Sequence, residues 1–137
     1  MRIEFTVYGK PIPQGSMHAV QGKYQKFPSI ISNQKDLRPW RQDVATQAQL
    51  EMVKGGWAVQ SGAIRVACFF FFQKPKSAKK SVEHKLTKPD IDKLLRGILD
   101  ALTSVVFVDD SQVVAVNVFK AFTDGNPERV EVKVTEI

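Results

Sequence analysis

The segment that most constrains this chain is IDKLLRGILDALT, residues 91–103. Ile91, Leu94, Leu95, Ile98, Leu99 and Leu102 recur there at i, i+3 and i+4 without a break, which specifies a helix with one face committed to a core. Such a stripe must be buried against something, and the flanking sequence supplies candidates. Residues 63–72, AIRVACFFFF, are apolar with little alternation and read as a strand covered on both sides. Residues 113–122 read as another strand, TDGNPE as a turn and RVEVKVTEI as a final alternating strand.

Upstream, residues 2–9 alternate apolar and polar and predict a first strand, followed by turn signals in GKPIPQGS. Residues 17–35 hold only short apolar pieces, compatible with a small hairpin. From Asp36 a second helix is specified by Leu37, Trp40, Val44, Ala48 and Met52, with Pro39 in its first turn and Gly55-Gly56 closing it. The order β, irregular, α, β, α, β, β predicts an α+β fold, a single mixed β-sheet with two main helices packed on one face and an antiparallel C-terminal pair.

At 137 residues the chain is expected to form one domain, residues 1–137. A chain of this size buries roughly two-thirds of its unfolded surface and needs no disulfide. Its one cysteine, Cys68, lies in the apolar strand and reads as a core thiol in a reducing compartment. The N-terminus reads as a strand rather than a signal peptide, and no apolar run approaches the 18 or so residues of a membrane helix. These features predict a soluble, cytoplasmic protein with no membrane partner.

The net charge is +6, which favours an anionic partner, nucleic acid first. The excess is local: residues 73–88, QKPKSAKKSVEHKLTK, carry six lysines and one glutamate. Lys74, Lys76, Lys79, Lys80, Lys85 and Lys88, with Lys93 beyond, are candidate nucleic-acid contacts, although a lysine-rich loop is also an ordinary solvated linker. The segment ends one proline before Asp90. Five of the chain's 14 acidic residues then fall within residues 88–114: Asp90, Asp92, Asp100, Asp109 and Asp110.

Single aspartates at these positions have ordinary roles. Asp90 sits at the N-cap position and Asp92 complements the helix dipole, effects of roughly 0.5–2 kcal/mol at most. Asp109 and Asp110 are common turn residues. Asp92 falls at the edge of the apolar stripe, which predicts partial shielding, with Arg96 beside it on the helix surface. Gly97, on the polar side, leaves room for a second backbone. If the VVFV run returns along the helix, the Asp109-Asp110 turn comes back near the helix N-terminus, and Asp90, Asp92 and Asp110 surround one point. Three carboxylates without His or Cys favour Mg²⁺ or Mn²⁺, and a carboxylate-held metal beside lysines suits phosphodiester hydrolysis.

The stretch PDIDKLLRGILDAL, followed by VDDSQVV, resembles the RusA-type Holliday junction resolvases, small magnesium-dependent endonucleases of bacteria and their phages. YGKPIPQGS and WRQDVA are compatible with the same family. The resemblance implies a RusA-like endonuclease domain and a metal-binding catalytic set on Asp90, Asp92 and Asp110, with the adjacent Asp109 as a further candidate metal ligand. It also implies a homodimer making paired symmetric cuts in branched DNA during recombination and repair, in a bacterial or phage setting. Two positions depart from the family pattern: Lys93 replaces an asparagine, and Arg96 replaces the catalytic lysine. Arginine keeps the charge but cannot give up a proton.

Two other readings follow from the residues. Pro89-Asp90 with Glu131-Val132-Lys133 matches the short PD-(D/E)xK nuclease pattern. A DNA-binding protein of the same fold without catalysis would use the carboxylates only as caps and turns. Tyr24, Phe27 or Trp40 are candidates for stacking on an opened base, with Trp40 at core spacing.

Overall fold

A computed structural model describes residues 1–15, 18–20, 29–31 and 35–137. The elements are β1 (Arg2–Tyr8), β2 (His18–Val20), β3 (Ser29–Ile31), α1 (Leu37–Gly55), β4 (Ile64–Gln73), α2 (Ile91–Leu102), β5 (Val113–Thr123) and β6 (Arg129–Glu136), with a 3-10 turn at Asp110–Gln112. β2 and β3 pair antiparallel, as the small hairpin expected there. Tyr24 and Phe27 lie outside the described residues. Among the described residues, no helix is long and apolar enough to cross a membrane.

Four strands form one sheet in the order β1-β6-β4-β5. β4 and β5 run parallel, so the chain must cross from the end of one to the start of the other, and α2 makes that crossing. β6 pairs antiparallel with β4 on its other side, and β1 pairs antiparallel with β6. The expected C-terminal pair is therefore corrected: β5 and β6 are not neighbours, because β4 lies between them. The TDGNPE segment passes over the end of β4 rather than closing a hairpin. Glu128 fastens this crossing, its carboxylate accepting from Gln73 N at 3.1 Å and its carbonyl from Gly9 N at 2.9 Å.

Both helices pack on one face of the sheet. Ile3, Phe5 and Val7 of β1, Val130, Val132 and Val134 of β6, and Ile64, Val66, Cys68, Phe70 and Phe72 of β4 all point there and are buried. α1 adds Leu37, Trp40, Val44 and Ala48, so Trp40 is core; α2 adds Leu94, Ile98, Ala101 and Leu102. α1 stops at Gly56, whose φ of 67° is the left-handed conformation that glycine adopts without penalty. Trp57 then turns inward and donates its indole N–H to Val106 O at 3.0 Å.

β4 differs from expectation on one face. Its burial alternates strictly, and Phe69 and Phe71 are only half-buried on the side away from the helices. They are sheltered by each other's neighbours: Phe69 lies 4.4 Å from the Phe119 ring, and the Arg129 guanidinium sits 4.0 Å over Phe71. The unbroken phenylalanine run hid this alternation, because aromatics occupy both faces.

Cys68 is fully buried, and burial pushes its thiol from an ordinary 9.0 up to about 12. The fold thus favours the protonated thiol. Its stabilising contribution is complete below pH 9.0 and is lost as pH rises toward 12. Native protein at pH 8 is expected to leave Cys68 unreacted with a thiol-specific disulfide reagent, with stoichiometric reaction after denaturation. Rapid labelling of the folded chain would contradict this burial.

Candidate active site

Pro89 leads into α2, and Asp90 occupies the N-cap with extended backbone (φ −72°, ψ 142°). Its carbonyl accepts from Leu94 N at 3.1 Å, yet its carboxylate makes no capping bond. The capping role available to Asp90 is left unused by its side chain. Asp92, one turn-step on, is exposed rather than partly shielded as expected from its angular position. The stripe it borders ends at Ile91, itself 40% exposed, so among the described residues this corner of the helix is left uncovered. Arg96 is also exposed, and among the described residues it forms no ion pair with Asp92.

Gly97 is buried beneath the segment that follows β1. A Cβ there would lie 3.4 Å from Ile12 O and 3.8 Å from Gln14 N, so a second backbone does cross at this point. Gln14 N donates to Lys93 O at 2.9 Å, and the Gln14 amide donates to the Asp100 carboxylate. Asp100 is thereby committed to holding the loop.

The lysine-rich segment is folded onto itself rather than being a linker. Turns close at Ala78 N to Pro75 O and Val82 N to Lys79 O, each 3.0 Å. Lys74 Nζ donates to Val82 O at 2.6 Å. Lys85 donates to Thr87 Oγ1 at 3.1 Å and lies 4.8 Å from the Phe72 ring centroid. Lys76, Lys79, Lys80 and Lys88 project to solvent, and Lys93 is half-buried. A residue that sequence reading missed completes the arrangement. Lys120 of β5 donates to Thr87 O at 2.8 Å and Pro89 O at 2.9 Å, immediately before Asp90. Its signal was a lone cation on the inward register of an apolar strand, aligned with Phe70 and flanked by Val118 and Phe122.

The Asp109-Asp110 turn lies elsewhere. Residues 104–108 do not return along α2. Val106 N donates to Leu102 O at 2.9 Å and Ser104 N to Phe107 O at 2.7 Å, with Ser104 at φ 66°. This tight turn drives Val106 and Phe107 into the core beneath the helix C-terminus. Gln112 then ties the next turn to Gln60 O and Gly62 O at 3.0 and 2.8 Å. The aspartate pair therefore sits at the start of β5, while Asp90 sits near its end. Twelve helical residues separate the two positions, about 18 Å along the axis. The expected meeting of Asp90, Asp92 and Asp110 within one chain does not occur. Among the described residues, no three His, Cys, Asp or Glu side chains lie close enough to hold a metal ion.

Within the pair, the two aspartates differ. Asp109 caps the 3-10 turn: its carboxylate accepts from Ser111 N at 3.0 Å while Gln112 Oε1 accepts from Asp109 N at 2.8 Å. Hydrogen bonds from Ser111 hold its carboxyl below the usual range. Asp110 is exposed and opens the turn. Glu131 and Lys133 of the alternative PD-(D/E)xK pattern lie on the sheet face opposite α2. Glu131 pairs with Arg129 at 3.2 Å and Lys133 with Glu4 at 3.6 Å, so neither approaches Asp90.

The acidic N-terminus of α2 and the D-D-x-Q turn before β5 are thus both present on a four-stranded mixed sheet. The family model described as endodeoxyribonuclease RusA matches residues 9–135. The chain belongs to the RusA endodeoxyribonuclease family. It is 29% identical over 145 residues to "Uncharacterized protein YqaN" of Bacillus subtilis (strain 168), covering 98% of this chain and 96% of that one. It is 32% identical over 68 residues to "Crossover junction endodeoxyribonuclease rusA" of Lactococcus phage r1t, about half of each chain (49% and 50%).

In this RusA-family chain the loop over Gly97 holds the acidic end of α2 in place. Gly97→Ala adds a Cβ at ordinary contact distance and gains up to about 1 kcal/mol of helix propensity, so it is expected to be neutral or mildly stabilising in thermal melts. Gly97→Leu must displace residues 12–14 and is expected to lower the melting temperature. Equal tolerance of both would mean the loop is not packed there.

Proposed function

We propose that the protein is a magnesium-dependent endodeoxyribonuclease that cuts four-way DNA junctions as a homodimer, with paired symmetric cleavage in recombination or repair. The observation that carries this reading is the pair of exposed carboxylates at the start of α2. Asp90 and Asp92 are used neither as a side-chain cap nor in an ion pair among the described residues, and Lys88 and Lys93 neighbour them in sequence while Lys120 bonds Pro89 O. Family membership adds the reaction class. The proposed setting is bacterial or phage-encoded and cytoplasmic.

The donor set is all carboxylate oxygen, which suits Mg²⁺ or Mn²⁺. Because Asp110 lies at the far end of α2, one chain does not supply the whole set. Asp90 and Asp92 of one copy with Asp110 of a second are the residues assigned to the metal, Asp109 holding Asp110's turn. When bound, the metal supplies charge neutralisation at phosphate and a more acidic water. Arg96 contributes fixed positive charge toward the phosphate and does not transfer protons.

The sheet edge supports a two-fold arrangement. Nothing among the described residues pairs with the outer side of β5, whose VVAVNVF run over residues 113–119 contains no charge. Val114, Val116 and Phe119 are exposed along it, and an unguarded apolar edge of this length favours pairing with another strand. Antiparallel pairing of two β5 strands brings the Asp110 end of one copy beside the Pro89–Asp90 end of the other. The opposite edge, β1, carries Arg2 and Glu4 instead.

Subunit mixing tests the assignment. Asp90→Asn and Asp110→Asn should each lose magnesium-dependent cleavage of a synthetic four-way junction while still binding it. Refolded together at equal amounts, they should recover about a quarter of the sites, since half the dimers carry one intact set, and the product should be single nicks. No recovery on mixing would place the acids in cis, and binding without cleavage by wild type would leave a DNA-binding protein of the same fold. Arg96→Lys should retain cleavage within a few-fold, whereas Arg96→Met should lose roughly 10²-fold or more. A large gain in Arg96→Lys would instead indicate that proton transfer is needed at this position.

A further inference from the structure

Two ammonium groups from distant parts of the chain converge on one residue. Lys85 Nζ binds the Thr87 hydroxyl at 3.1 Å, and Lys120 Nζ binds the Thr87 carbonyl at 2.8 Å and Pro89 O at 2.9 Å. Like charges held this close repel, and neither lysine forms an ion pair among the described residues. Burial, then the Lys120 and Lys10 charges, lower the Lys85 pKa, against a smaller opposing effect of Glu128. The Glu128 carboxylate is itself engaged with Gln73 N. The accepting groups around the two ammoniums are neutral oxygens, which orient the charges without cancelling them. The cluster abuts Asp90, which carries negative charge of the opposite sign but makes no contact with it.

We infer that Lys85 and Lys120, oriented by Thr87 and Pro89, form a binding site for one DNA backbone phosphate next to the Asp90 carboxylate. This rests on the nuclease reading for its substrate, yet it differs from general attraction by the outer lysines. Lys76, Lys79, Lys80 and Lys88 are exposed and, among the described residues, unfixed by comparable bonds to the backbone, so their contribution is diffuse. At the Thr87 site the donors are held in direction, and a bound phosphate gains charge-assisted hydrogen bonds from both. An anion there also relieves the repulsion that the free protein tolerates. The register of the substrate strand relative to Asp90 is then set by one fixed phosphate.

The test is binding, measured without cleavage. Wild type, Lys85→Met, Lys120→Met, Lys120→Arg and Lys54→Met would be titrated with a fluorescent four-way junction in Ca²⁺ over a range of NaCl concentrations. Each methionine substitution at the site should reduce the slope of log affinity against log salt by about 1. Lys120→Arg should restore most of it, and Lys54→Met, at the far end of α1, should leave it unchanged. Unchanged slopes in Lys85→Met and Lys120→Met with unaltered melting temperatures would overturn the inference, as would an equal loss in Lys54→Met. Among the described residues Lys85 hydrogen-bonds only the Thr87 hydroxyl and otherwise lies over the Phe72 ring, so Lys85→Met decides the matter even if Lys120→Met unfolds. Loss of slope at the two lysines in a wild type that never cleaves with Mg²⁺ would refute the nuclease reading and keep the phosphate site.

Discussion

The parallel pairing of β4 with β5 is the constraint from which the rest of the architecture follows. Parallel neighbours cannot be joined by a tight turn, so the chain has to travel the length of the sheet between them, and α2 is that path. Its apolar stripe is buried in the same act, with Leu94, Ile98 and Leu102 completely enclosed. A crossover of this kind also fixes where chemistry is placed. Whatever precedes the helix stands at the far end of both strands, and whatever follows it stands at their beginning. The acids of the D-x-D and of the D-D turn are therefore separated by the helix that both flank.

Both helices were legible because a 3.6-residue stripe is a local signal, reinforced in α1 by its terminating glycines. The strands were legible as strands for the same reason. Their neighbours were not: nothing in RVEVKVTEI says that β4 rather than β5 lies beside it, because the apolar side chains of either strand would satisfy its inward valines. The path after α2 was misjudged on length alone. Five residues could have reached back along the helix, but the left-handed turn at Ser104 and the burial of Phe107 hold them at its C-terminus. Gly97 was read correctly as a point of close approach, although the backbone that approaches belongs to residues 12–14.

The candidate site was partly legible. Asp90, Asp92 and Arg96 stand together on the first turns of α2 as their spacing requires, while Asp110 does not join them. Lys120 escaped notice because in sequence it is one cation in a strand, and its importance comes from tertiary contact with Thr87 and Pro89. The six lysines of residues 73–88 look equivalent in sequence. In the fold they divide into those whose ammonium groups bond the loop itself and those that project outward.

That division changes the thermodynamics of contact with a polyanion. A loop whose turns are already closed, and in which Lys74 is tied to the loop's own carbonyls, loses little chain entropy on binding. The bonded ammonium groups of Lys74, Lys85 and Lys120 present fixed distances between charges, and a stiff duplex matches only one spacing of phosphates. A branched or bent duplex, whose strands diverge, offers a choice of spacings. In the proposed nuclease, selection would then rest on the shape of the backbone, with no base needing to be read.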